Sequence, residues 1–461
     1  MTKIYNIRDF DSIVAGKILC TEAVQKAVDE CSANGGGIVR FDKGVYILST
    51  VFLKSNVMIE IPAETEILGA ESYYDYAQEE KVDYPIYQDS SHTYYYPSLF
   101  VGIDCENIKI TGGGKIDMRS IWDEDGVRGK EIRHRGAKCI ALKNCKNVEI
   151  SNLEINNATD LAIYFAGCEN VDIYGIKMRV YIDGISPDNS KNVRIHDCDV
   201  ETGDDGIVFK SSYTLNRLDI CKDIRVWNCK IKSRCYAIKF GTETNGGFED
   251  ILIENIQMRE TRIGGIGIES VDGAIIDRIT IRNVQMRNVN APIFIHVGRR
   301  MRGPKGRAIG KICNVTLENI TADGPYEPYE IVAWNYFSYK ANDFYQDPKV
   351  FGLAEGFNGT KSTDDWQMTS NICGLKESPL ENIVLRDVHL KLDGGVQQYK
   401  KEVPEKAQDY PEVYVYGRIL PAKGIYFRHI NGLTLDNVTV ETYREDKREN
   451  FVFDKCENMT V

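Results

Sequence analysis

The sequence predicts an all-β chain wound as a parallel β-helix, a solenoid with a short N-terminal capping helix and loop insertions. One phrase recurs: "NIKITGG" at 107, "NVEISNLEI" at 147, "NVDIYGIKM" at 170, "NVRIHDCDV" at 192, "DIRVWNCKI" at 223, "DILIENIQM" at 250, "RITIRNVQM" at 278, "NVTLENITA" at 314, "NIVLRDVHL" at 382 and "GLTLDNVTV" at 432. Each phrase alternates apolar and polar residues, the period of a strand with one buried face. From 147 to 278 the phrase starts lie 23, 22, 31, 27 and 28 residues apart, the spacing of coils. No amphipathic helix of useful length separates the phrases, which excludes leucine-rich repeats and βαβ units.

The series opens with "TEAVQKAVDECSANGGG" at 21–37. Thr21 as N-cap, apolar residues at helical spacing and a glycine stop predict a helix that covers the first coil. The next stretch, "GIVRFDKGVYILSTVFLKSNVMIEI", is continuous strand pattern. Asn, Asp or Gly at the joins supplies the left-handed backbone of a turn. Cys105, Cys145, Cys168, Cys221 and Cys456 each stand two residues before a phrase's Asn or Asp. They read as small apolar groups stacked along the core rather than as metal or redox ligands. The stretches 71–100, 117–137, 325–378 and 393–420 break the period and are rich in Tyr, Trp and charge. They read as loops on the coils, so the expectation is a single domain over 1–461.

With 461 residues, 43% hydrophobic and 27% charged, the chain has the composition of a packed, folded protein. Its net charge of −11 does not favour nucleic acid or an anionic membrane. No run approaches the ~18 apolar residues of a membrane span. The first residues lack the apolar core and cleavage site of a secretory signal, and no CxxC pair occurs among the 13 cysteines. Reduced thiols and a cytoplasmic location are therefore expected.

The chemistry is concentrated in "VETGDDGIVFKS" at 200–211. By itself Gly-Asp-Asp is a common surface turn. The neighbouring coils change its meaning. "TDLAIYF", "IDGISPD" and "DDGIVFK" carry Asp160, Asp183 and Asp205 at steps of 23 and 22 residues, which predicts one column. Coils rise by about 4.8 Å, so Asp183 and Asp205 are expected as neighbours with Asp204 beside them. Tyr236 and Gly264 continue the column. Clustered carboxylates repel, raise at least one pKa, and so supply a protonated acid next to an ionised base. A Ca²⁺ site is the other chemistry such oxygens allow. No cofactor motif and no metal set are assigned.

The chain resembles the polygalacturonase family, glycoside hydrolase family 28. The likeness rests on "GGGIVRFDKGVYILSTVFLKSNVMIEI", "DGISPDNSKNVRIHDCDVETGDDGIVFKS" and "FGTETNGGFEDILIENI", in order along most of the chain. It implies a right-handed parallel β-helix and glycosidic hydrolysis with inversion. It also implies Asp204 as general acid, with Asp183 and Asp205 activating water. Three residues at two places depart from the family pattern. Tyr236 stands where the family has histidine, and Gly267-Ile268-Glu269 replaces Arg-Ile-Lys, the triplet that holds a galacturonate carboxylate. Glu269 would repel a uronate and accept hydrogen bonds from neutral hydroxyls.

Lys239, Arg234, Arg299 and Arg300 are candidates to restore positive charge, against a reading as solvated rim charges. Trp122, Tyr94, Tyr95, Tyr96, Trp334 and Tyr336 are candidate sugar-stacking rings, against a reading as loop packing. His296 in "APIFIHVGRR" is a candidate acid–base helper, against a structural role. The sequence thus points to an inverting exo-glycosidase acting on a plant-derived, pectin-type oligosaccharide or glycoside. The long insertions motivate exo action by closing one end of a groove. A β-helix polysaccharide lyase and a non-catalytic saccharide-binding β-helix are the rivals.

Overall fold

The computed structural model describes residues 3–10, 18–121, 136–324 and 368–461. The chain forms two compact units, 1–202 with 212–226, and 203–211 with 227–461. Within each unit the strands pair in parallel, coil on coil.

In the first unit three stacks of strands build the coils. One runs through Gly37–Arg40, Val57–Glu60, Glu106–Thr111, Lys146–Ser151, Glu169–Tyr174 and Lys191–His196. A second runs from Gly44–Leu48 to Asp199–Thr202, and a third from Val51–Phe52 to Ile185–Asp188. The alternation fixes which side chains go inside. Ile110, Ile150, Ile173 and Ile195 align rung over rung with no exposed surface. A one-residue slip would turn that whole apolar column to water, so register is strongly specified.

The asparagines at the joins do more than turn the chain. Asn107, Asn147, Asn170 and Asn192 have φ of 55°, 54°, 58° and 50°. Each donates its side-chain amide to the carbonyl of the asparagine one coil earlier: Asn107 to Asn56 (2.7 Å), Asn147 to Asn107 (2.9 Å), Asn170 to Asn147 (2.9 Å) and Asn192 to Asn170 (2.6 Å). Asparagine is favoured there because it tolerates left-handed backbone and carries both a donor and an acceptor. All 13 cysteines are free; of the five expected in the core, Cys105, Cys145, Cys168 and Cys221 are buried, whereas Cys456 on the last strand is only half-buried.

Two sequence expectations are corrected in this unit. The helix spans Thr21–Ala33 and buries Ala23, Val24, Ala27, Val28 and Cys31, but its N-cap is Cys20. Thr21 lies inside the first turn, and its hydroxyl accepts from the Ser49 N–H (2.8 Å), tying the helix to the coil instead of capping it. Asp160 does not join the aspartate column. Ile163 pairs with Ile185, which sets Leu161 level with Asp183. The 23-residue step carries one residue more than the next, and Asp160 turns instead to Lys138 Nζ at 3.4 Å.

The second unit repeats the design with longer strands, among them Gly247–Ser270, Ile275–Val297 and Ala422–Arg444. It has its own amide ladder, from Asn319 to Asn283 (2.8 Å) and Asn283 to Asn255 (3.1 Å). The segment after Gly394 contains no strand or helix until Ala422. It packs on the outside of the coils, where Tyr236, Ala291, Phe294, Met368 and Val413 form one apolar cluster. A second cluster joins Cys373, Tyr416, Leu420, Ala422 and Tyr426. No described helix is long and apolar enough to cross a membrane.

Candidate active site

Three strands of the second unit lay out the site. Ile238 and Phe240 pair with Ile266 and Ile268, and these with Ile293 and Ile295, forming the inner rows. Lys239, Gly267 and Phe294, with Glu269 and His296, occupy the alternate outer rows of the same rungs. Period two thus puts charge on one face and apolar packing on the other. The outer row is nonetheless buried, because the segment around 407–416 lies over it.

Lys239 is the hub. Its Nζ lies 3.6 Å from Asp205 Oδ2, 3.7 Å from Glu269 Oε1, 3.3 Å from Glu412 Oε1 and 4.6 Å from the centre of the Tyr236 ring. One ammonium therefore faces three carboxylates. Each contact at this range is worth about 4 kcal/mol at an effective dielectric near 20, and burying each ion costs several kcal/mol. Lys239 collects three such attractions and keeps its charge, its pKa held well up despite burial. Each carboxylate shares a single cation with two rivals. Burial raises all three, most visibly Glu269, which is pushed up to about 8. Asp204 adds its repulsion to Asp205. The Asp205 carboxylate is fixed by the Tyr236 N–H at 3.0 Å, and the Asp204 carbonyl accepts from Ser233 Oγ at 2.5 Å.

Glu269 has no exposed surface, and among the described residues neither of its oxygens accepts a hydrogen bond; Glu412 Oε2 is likewise without one there. Next to this cluster lies a fully compensated one. Glu243 is paired with Lys210 (3.1 Å) and Arg302, and Asp272 with Arg300, whose Nε lies 2.9 Å from Oδ1.

Tyr236 and Gly267, two of the three departures from the family pattern, form one packing unit. A Cβ on Gly267 would lie 3.1 Å from Tyr236 ring atoms, and one on Gly264 only 2.5 Å. The ring occupies the space a side chain at 267 would enter. Its hydroxyl accepts from the Val413 N–H at 3.0 Å, which anchors the covering segment.

The candidates read from the sequence divide clearly. Asp204, Asp205, Tyr236, Lys239 and Glu269 come together. Lys239 is buried at 3% exposure, the reverse of a rim charge. Arg234 is also buried, its charge acting on the Cys235 thiol, and Arg300 serves Asp272. Arg299 is exposed and paired with Glu377 at 2.6 Å, a rim position. His296 is buried, stacked on Phe294, and 3.2 Å from the Tyr416 hydroxyl. Burial lowers its pKa to about 3, so the ring is neutral, and its Nε2 has no hydrogen-bond partner among the described residues. Asp183 belongs to the first unit; it is 4% exposed, and its carbonyl accepts from the Ala162 N–H. Tyr95 is wholly buried against Tyr164 and packs rather than stacks on a sugar. Tyr94 and Tyr96 are half-buried, and Tyr96 packs edge-on against Phe52. Trp122, Trp334 and Tyr336 lie outside the described residues. Glu412 had no signal in the sequence: it sits in an aperiodic stretch 173 residues from Lys239. The Asp204 and Asp205 carboxylates and the Cys235 thiol come within 4.8 Å of one another. A thiol is a poor ligand for a hard cation, so this set does not suit Ca²⁺.

A family model described as glycosyl hydrolases family 28 matches residues 53–331, more than half of the chain. A probable polygalacturonase from Vitis vinifera is 24% identical over 83% of this chain and 73% of its own length. An exo-poly-α-D-galacturonosidase from Dickeya chrysanthemi is 23% identical over 84% of this chain and 69% of its own. Among solved structures, the Yersinia enterocolitica family 28 exopolygalacturonase matches with TM-score 0.72 and 20% identity, over all of this chain and 79% of that one. The Thermotoga maritima hyperthermoactive exopolygalacturonase matches with TM-score 0.64 and 20% identity, over 84% and 87%. The fold is that of these structures, a right-handed parallel β-helix. The chain belongs to glycosyl hydrolases family 28 and is a glycoside hydrolase.

Proposed function

We propose that this enzyme is an inverting exo-glycosidase that removes a terminal uncharged sugar from a pectin-type oligosaccharide or plant glycoside. The observation that carries the choice of sugar is Glu269, a buried carboxylate without a hydrogen bond where the family pattern places a cation for a uronate. Lys239 does not restore that clamp, because three carboxylates already neutralise it. The exo mode follows the Dickeya relative, an exo-poly-α-D-galacturonosidase by name.

In this reading Asp204 protonates the departing oxygen. Asp205, together with Asp183 by the coil spacing of the sequence, holds the water that attacks the anomeric carbon from the opposite side. Lys239 stabilises Asp205 as the anion that a base must be. The glycosidic bond breaks as the water oxygen bonds to carbon. One proton passes from Asp204 to the leaving group, and another from the water to the base.

The test is a panel of aryl glycosides and plant oligosaccharides, with NMR of the first anomer released. Asp204→Asn should lower turnover by about 10²- to 10⁴-fold, the usual worth of a general acid. Wild-type rates in that variant would sink the acid assignment. Fast release of free galacturonate would sink the choice of sugar.

A further inference from the structure

The amide ladder of the second unit borders an open groove of about 440 Å³. Asn228, Asn255, Asn283 and Asn319 form one wall, all in left-handed backbone with φ between 51° and 57°. Two residues further along each strand stand Lys230, Gln257, Gln285 and Thr321, paired rung to rung as the other wall. The residue between the walls is buried on every rung. Four rungs about 4.8 Å apart make a strip about 14 Å long.

The walls carry hydrogen-bonding groups that the fold leaves over. Asn283 donates one amide hydrogen to Asn255 (3.1 Å), and its carbonyl accepts one from Asn319 (2.8 Å). Asn255 is used in the same way, donating to Asn228 at 3.4 Å. A primary amide has two hydrogens and two lone pairs, so each of these keeps a donor and an acceptor for the groove. Across from them Gln257 and Gln285 are exposed, and their amides have no hydrogen-bond partner among the described residues.

Charge is placed beside the groove and not in it. The residues before the asparagines are zipped together, Glu254 with Arg282 at 2.7 Å and Glu318 with Arg386 at 3.5 Å. Among the described residues Lys230, on the first rung, is the one charged residue lining the groove. A polyanion would meet a single cation over four rungs, and an apolar partner would strand the amides. A sugar hydroxyl both donates and accepts, as an amide does, and adjacent ring hydroxyls can engage the N–H and C=O of one amide together. The coil step of about 4.8 Å is close to what one pyranose ring adds to an extended chain.

We propose that this groove is a second saccharide site, which holds an uncharged stretch of polysaccharide along the stack. It shares no residue with the Lys239 face, which lies on the following strand, Tyr236–Thr244. It gives the glycoside hydrolase a hold on the polymer and stands whichever sugar the catalytic face takes.

The experiment is native electrophoresis through gels cast with a galactan, an arabinan, a xylan or polygalacturonate. The proteins are the wild type, the double variant Gln257→Ala/Gln285→Ala, and Asp204→Asn. At least one neutral polysaccharide should retard the wild type. The double variant should bind that polymer about tenfold more weakly, the size of a few lost hydrogen bonds. Its urea midpoint should match the wild type, because both side chains are exposed. Asp204→Asn should be retarded like the wild type, which separates this site from the reaction. Free migration of the wild type in every neutral gel overturns the proposal, as does retardation that the double variant keeps. Retardation by polygalacturonate alone overturns the uncharged class.

Discussion

Asp188 and Glu269 are both buried carboxylates, and they are treated in opposite ways. Asp188 in the first unit accepts from the Ser212 N–H (2.9 Å) and hydroxyl and from the Tyr164 hydroxyl (3.0 Å). Glu269 in the second accepts no hydrogen bond and faces one shared ammonium at 3.7 Å. The first is built as a structural node, with donors fixed before anything binds. The second is left short of donors where the outer row meets the covering segment. Burial is common to both carboxylates; the shortage of donors is what sets Glu269 apart from Asp188.

The largest effect expected is at the satisfied node. Asp188→Ala would strand the Ser212 donors, leave the Tyr164 hydroxyl only the His92 carbonyl, and destabilise by about 3–5 kcal/mol, as when one partner leaves a buried charged network. Urea unfolding would measure it, and a loss below about 1 kcal/mol would remove the contrast. Next is Lys239→Met, which leaves three carboxylates without their cation. At pH 7 a loss of about 3 kcal/mol is expected, smaller at pH 5, where protonation relieves the repulsion. Glu269→Gln should be close to neutral at pH 7, since a buried carboxyl that accepts no hydrogen bond among the described residues gives way to an uncharged amide of the same shape, while weakening substrate binding. A strongly destabilised Glu269→Gln would show that the two carboxylates are alike after all.

The contrast also reads out in the pH profile. Glu269 has its pKa raised from 4.5 to about 8, so between those values the folded protein holds a proton that the unfolded chain has lost. Its contribution to stability is full below about pH 4.5 and fades as pH rises through 8. Thermal unfolding from pH 5 to 8 should show the wild type falling more steeply than Glu269→Gln. Parallel curves would mean that Glu269 is ionised throughout.

What was legible in the sequence was whatever repeats. The Asn and Asp joins, the Ile columns and the Cys stack announce themselves because each coil states them again. Asp205 and Tyr236 were found by counting along that repeat, Asp204 as the neighbour of Asp205, and Glu269 through the resemblance to the family pattern. The count failed at Asp160, where a coil one residue longer broke the equivalence. It could not reach Glu412, which returns to the face from an aperiodic segment. It also misjudged Lys239, because whether a lysine is exposed depends on what lies over it, and the cover is remote in sequence.

The amide ladder has a consequence for how such a site can change. Successive rungs are separated by 22 residues at Asn170–Asn192 and by 68 at Asn314–Asn382, yet the links measure 2.6 and 3.0 Å. Contour length between coils is therefore decoupled from height along the stack. The ladder acts as a vernier, returning each strand to its rung however long the excursion before it. Chain can be added or lost between rungs, and the pocket wall rewritten, while the carboxylates keep their spacing.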